Sequence, residues 1–144
     1  MNRSFAMAAP QAGYFDRFFI MSDPANWYNL KMMYKNIKIF INPEIIDYSK
    51  EKVLSWEGCI SNNEFICLVE RPSKVIVKYQ TMLGKQTDMI CVGLVARIFQ
   101  HELDHLDGIT MESKALETKA INELVNPKDL NEFYQANKHR IIEQ

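Results

Sequence analysis

The 144-residue chain reads as an α+β domain, mainly antiparallel sheets packed around one central metal-binding helix, with a further helix at the C-terminus. Three observations predict this. Runs rich in β-branched and aromatic residues come first and a helical pattern follows, instead of the two alternating as they would around a parallel sheet. The one long stretch with helical periodicity ends in His101-Glu102-Leu103-Asp104-His105. Near the end, Asn126-Pro127 supplies a helix cap followed by a proline suited to the first turn.

In chain order, Phe18–Met21 and Ile37–Ile41 have the composition of strands. Val53, Leu54 and Trp56 form an apolar run that ends near Cys59, and Cys67 sits in a second strand-like run. Val75–Tyr79 and Met89–Val92 read as strands, and Leu83-Gly84-Lys85 between them suggests a hairpin. The metal helix runs from about Leu94 to Leu106, with Gly108 as its stop signal. Leu94, Ile98, His101 and His105 fall at i, i+4, i+7 and i+11, so the histidines are expected to extend the buried stripe of this helix. The last helix is expected through about Ala136.

Composition bounds the function. The length suits one domain over residues 1–144 with a sizeable core. Hydrophobic content of 47% with 24% charge is ordinary for a globular protein. A formal net charge of -1 gives no signal for nucleic acid or for a charged membrane surface. No apolar run reaches membrane-spanning length, and the start has no apolar core typical of a secretory signal. Cys59, Cys67 and Cys91 are odd in number and lack paired spacing, which fits a reducing, cytoplasmic setting; Cys67 and Cys91 read as buried thiols.

The chemistry is carried by two of the chain's three histidines. At i, i+4 on a helix, His101 and His105 can bind one metal ion, and Glu102 then lies where it can handle the proton of a bound water. Taken alone, the string also fits a solvated helix face with incidental histidines. Catalytic sites of this type use three protein ligands, so a third donor is needed. Cys59 in Glu57-Gly58-Cys59-Ile60-Ser61 is one candidate, with Gly58 allowing close backbone approach. A downstream carboxylate, Glu112 or Glu123, is another.

Three segments, in order, resemble the signature motifs of peptide deformylases: Ala8-Ala9-Pro10-Gln11 with Gly13, then Glu57-Gly58-Cys59-Ile60-Ser61, then Gln100-His101-Glu102-Leu103-Asp104-His105-Leu106-Asp107-Gly108. The resemblance spans about residues 4 to 112. It implies a metal held by Cys59, His101 and His105, Fe2+ foremost with Zn2+ or Ni2+ as alternatives, and Glu102 as general acid/base. It implies that Gln11 and the backbone N–H of Ile60 stabilise an oxyanion. It favours an Asp104–Arg71 ion pair that anchors the helix. It further implies removal of formyl from the N-terminal methionine of new polypeptides, an intracellular step of protein biosynthesis near the ribosome. A zincin-type metallopeptidase using Glu112 or Glu123, and a metal-containing binding protein without turnover, are the competing readings.

The chain departs from that pattern in three places. Ser4 and Ala6 stand where the family usually has glycines, and a side chain at either is expected to crowd the cleft. Phe5 between them is larger than the usual aliphatic residue and is expected to narrow the methionine pocket. Asn62-Asn63-Glu64-Phe65-Ile66 replaces the usual continuation after Ser61, which puts contacts to the peptide backbone in doubt. Only Met1, Asn2 and Arg3 precede the first motif, where the family has a helix and a strand; the apolar surface such a helix would cover is expected to favour self-association or a partner.

Overall fold

A computed structural model describes residues 5–23 and 36–121. Its strands are β1 (Ala6–Ala8), β2 (Phe18–Ser22), β3 (Ile37–Tyr48), β4 (Lys52–Cys59), β5 (Asn62–Pro72), β6 (Lys74–Gln80), β7 (Gln86–Val92) and β8 (Glu117–Ala120). Short 3-10 turns occupy Ala9–Ala12 and Glu112–Lys114, and the helix α1 spans Gly93–Leu106. Two sheets form, one of five strands in the order β1-β2-β3-β6-β7 and one of three in the order β4-β5-β8. Every pairing is antiparallel. The α+β expectation is therefore met. The expected last helix, and Ser4 and Glu123, lie outside the described residues.

The four strand expectations fall on β2, β3, β6 and β7, but β3 runs on to Tyr48 through register shifts after Ile41 and Ile45. Asn42, at φ 47°, sits in the first shift, which is how Asn-Pro, a pair that usually ends a strand, stays inside one. The hairpin between β6 and β7 closes as expected, with the Gly84 N–H donating to the Thr81 carbonyl.

The core lies between α1 and the inner face of the five-stranded sheet. Phe19 stacks on Phe40, and Phe99 of the helix meets both rings edge-on. Ala6, Ala8, Met21, Val75, Val77, Cys91 and Ala96 fill the rest. Cys67, Val69 and Met111 form a smaller cluster under the three-stranded sheet. Both extra cysteines are buried free thiols, as expected, and burial pushes the Cys91 thiol up to about 11.

No loop separates β7 from α1. Gly93, at φ 61°, turns the chain from strand into helix in one residue, and its N–H donates to the Ser73 carbonyl. A side chain there would be strained in this left-handed conformation. At the other end Gly108, at φ 71°, lets the chain fold back so that the Ile109 N–H reaches the Asp104 carbonyl.

The helix corrects one expectation. Its buried residues are Gly93, Ala96, Arg97, Phe99, Gln100, Glu102, Leu103 and Asp104, whereas Leu94, Ile98, His101 and His105 are partly exposed. The stripe does not mark the most buried face, because both sheets contact the helix and the histidine side borders a cleft.

Candidate active site

Strand β4, the turn after it and α1 bring the motif residues together. The β4–β5 ladder slips between Glu57 and Cys59, and Cys59 pairs with Asn62 across a tight turn made by Ile60 and Ser61. A Cβ at Gly58 would make an ordinary 3.8 Å contact with Ile66, so close approach is not what this glycine provides. It stands instead at the slip that re-aims the end of the strand.

Cys59 Sγ lies 3.2 Å from His105 Nε2, and His105 Nε2 lies 3.1 Å from His101 Nε2. The donor atoms of all three residues fall within 4.8 Å of one another. Lone pairs converging on one point repel unless protons or a cation lie between them, so this set fits a divalent ion. The charge environment agrees. Burial works against a positive His101, yet hydrogen bonds to Cys59 and Glu57 push it up to about 10. Burial likewise raises the Cys59 thiol, but His101, His105 and the Ser61 backbone bring it down to about 5. Surroundings that favour a proton on the imidazole also favour a metal cation in its place.

Glu57 fixes the ring of His101. The His101 Nδ1–H donates to Glu57 Oε2 at 3.0 Å, which leaves Nε2 as the free ligand atom. The same carboxylate accepts from Arg71 Nε at 2.6 Å, Arg71 Nη2 at 2.9 Å and Arg97 Nη1 at 2.7 Å. Burial would raise its pKa, but Arg71 and His101 hold it well below the usual carboxylate range. Arg71 also donates to Asp104 Oδ2 at 2.7 Å, so the expected Asp104–Arg71 pair forms, and Lys114 reaches Asp104 Oδ1 at 2.7 Å. Burying these charges is tolerable because each finds a partner.

Sequence reading had not singled out Glu57 as this hub, nor Arg97. A signal existed in each case. Glu57 is an acid at the end of an apolar run, and Arg97 interrupts an otherwise apolar helical turn, both marks of an internal ion pair.

Glu102 is buried, and its Oε2 has no hydrogen-bond partner among the described residues. Burial raises its carboxyl to about 7, against the pull of His101 and His105. Gln11 closes the site from the first motif, with Nε2 3.4 Å from Cys59 Sγ. Beside these residues a cleft of about 200 Å³ is lined by Cys59, Ser61, Asn62, His105, Met111 and Glu112, among others. Glu112, the alternative third ligand, bonds the Asn62 amide instead and lies outside the donor cluster. Ala6 corrects the crowding expectation at that position: its methyl belongs to the core, and its φ is not positive.

Residues 1–128 match the family model described as polypeptide deformylase. The chain belongs to this family. Among its relatives, the peptide deformylase of Thermotoga petrophila is 38% identical over 103 residues, covering 72% of this chain and 57% of that protein. The peptide deformylase of Thermodesulfovibrio yellowstonii is 39% identical over 108 residues, covering 75% and 62%. The chain thus spans about three-fifths of the length of these curated relatives. The fold agrees with the crystal structure of peptide deformylase from Thermotoga maritima at a TM-score of 0.69 and 35% identity, covering 79% of this chain and 71% of that one. A peptide deformylase from Plasmodium falciparum matches at a TM-score of 0.69 and 31% identity, covering 93% and 74%.

Proposed function

We propose that the chain hydrolyses the formyl amide of N-terminal formyl-methionine on newly made polypeptides, working in the cytoplasm and meeting its substrates near the ribosome. The observation that carries this reading is the convergence of Cys59, His101 and His105 beside the unpartnered Oε2 of buried Glu102. These three residues would hold a divalent ion, Fe2+ first and Zn2+ or Ni2+ as alternatives, because thiolate and imidazole suit all three. When bound, such an ion supplies Lewis acidity, polarising a carbonyl and easing the deprotonation of water.

The chain's own residues do the rest. Glu102 takes a proton from the attacking water as its oxygen bonds to the formyl carbon. The Gln11 amide and the Ile60 backbone N–H stabilise the negative oxygen that develops. The carbon–nitrogen bond then breaks, Glu102 returns the proton to the leaving amine, and formate departs. A carboxyl near neutrality in pKa suits both transfers.

The test is an anaerobic assay of the iron-loaded protein on a formyl-methionyl tripeptide, beside the unformylated peptide. Formate release from the first and no cleavage of the second is the expected result. Cleavage within the unformylated peptide, or binding without turnover, overturns the proposal.

A further inference from the structure

The Gln11 amide is gripped at both ends. Its Oε1 accepts the Ala8 N–H at 2.8 Å. A backbone N–H can only donate, so this bond settles which end of the amide is oxygen. Nε2 therefore faces the opposite way, where it donates to Ser61 Oγ at 2.8 Å and to Cys59 Sγ at 3.4 Å. Ser61 is also the second residue of the tight turn closed by the Cys59–Asn62 pair, so its hydroxyl is carried on a short, constrained span.

We propose that Ser61 is a positioning residue: its hydroxyl occupies one Nε2 hydrogen of Gln11 and so holds the other on the Cys59 side of the cleft, where a substrate oxygen replaces the thiol sulfur as its acceptor. A primary amide carries two hydrogens on one nitrogen in one plane. Fixing one of them fixes the rotation that decides where the other points. A donor already aimed costs no reordering when negative charge develops on a substrate oxygen. Ala8 supplies half of this alignment from the first motif, and Ser61 supplies the other half from the second. The two motifs thereby share one side chain between them. The inference rests on the hydrolase reading above.

The experiment compares Ser61→Ala and Ser61→Thr with the parent protein, all loaded with the same metal. Ser61→Ala should lower kcat about 10-fold, with KM within about two-fold and metal stoichiometry unchanged. Ser61→Thr keeps the hydroxyl and should retain kcat within about three-fold of the parent. Away from turnover, the Gln11 side-chain amide hydrogens of the zinc-loaded Ser61→Ala protein should exchange with solvent about 10-fold faster, having lost an acceptor. A parental kcat in Ser61→Ala overturns this inference alone. So does a Ser61→Thr protein as slow as Ser61→Ala, which would mark a merely structural role. A parent that releases no formate overturns the hydrolase reading, and this inference with it.

Discussion

The Glu57 carboxylate accepts the His101 Nδ1–H at 3.0 Å while also holding Arg71 and Arg97. A group that orients a ligand from behind governs metal affinity without touching the metal. Glu57→Gln is expected to weaken metal binding about 10- to 100-fold. Competition with a chelator of known affinity measures this, and an unchanged dissociation constant would separate Glu57 from the site. The same change leaves buried Arg97 facing a neutral partner and buried Arg71 with the Asp104 carboxylate alone, so a lower Tm is expected as well.

The choice of third ligand is tested by a pair of variants. Cys59→Ala should lose stoichiometric metal, because only two donors of the cluster remain. Glu112→Ala should keep it, since that side chain is engaged with Asn62. Elemental analysis of the purified variants decides, and the opposite pattern would restore the carboxylate-ligated reading.

Glu102→Gln keeps the shape of the side chain and removes its titration. Retained metal with a loss of about 10²-fold or more in kcat is expected. Near-parental turnover of this variant would remove Glu102 from the chemistry.

The aromatic cluster tests the core independently of the site. Phe40 is fully buried and touches Phe19, Phe99 and Tyr79. Phe40→Ala should cost about 3–5 kcal/mol in unfolding free energy. Denaturant titration would refute the packing if the loss stayed near that of a surface substitution.

Much of this was legible in the sequence, for reasons that differ between residues. Helical spacing puts His101 and His105 on one face whatever the tertiary structure, so their meeting is local geometry. The stop at Gly108 is equally local. The joining of Cys59 to that helix is not, since 42 positions separate Cys59 from His101 and only the sheet topology brings them together. The resemblance to a known family stood in for that topology. Of the charge network only the Asp104–Arg71 pair was foreseen: Glu57 and Arg97 each carry a local cue to burial, but a buried ion pair leaves no periodic trace of who its partner is until the fold sets them 2.7 Å apart. The long β3 escaped because Asn42-Pro43 reads as a breaker, whereas a register shift absorbs it.

The final prediction concerns Phe5, at the entry to β1. Bulk was expected from Ser4, Phe5 and Ala6 together. Ala6 is now removed from that argument, because its methyl packs in the core beside Met21 and needs no glycine-like backbone. Phe5 stays in it. Its carbonyl is fixed by the Ser22 N–H at 2.8 Å, so the residue cannot swing away to make room without breaking the entry to β1. A misfit of about a methylene in an apolar pocket changes selectivity roughly 10- to 200-fold. Phe5→Ile should therefore raise kcat/KM for formyl-methionyl peptides while metal content stays at the parental level. The effect should shrink for a formyl-peptide with a smaller first side chain, such as norvaline, since a shorter chain does not reach the obstruction. If Phe5→Ile changes neither substrate, or improves both equally, the pocket is not what Phe5 limits. Its half-buried ring would then serve to seat β1 against β2.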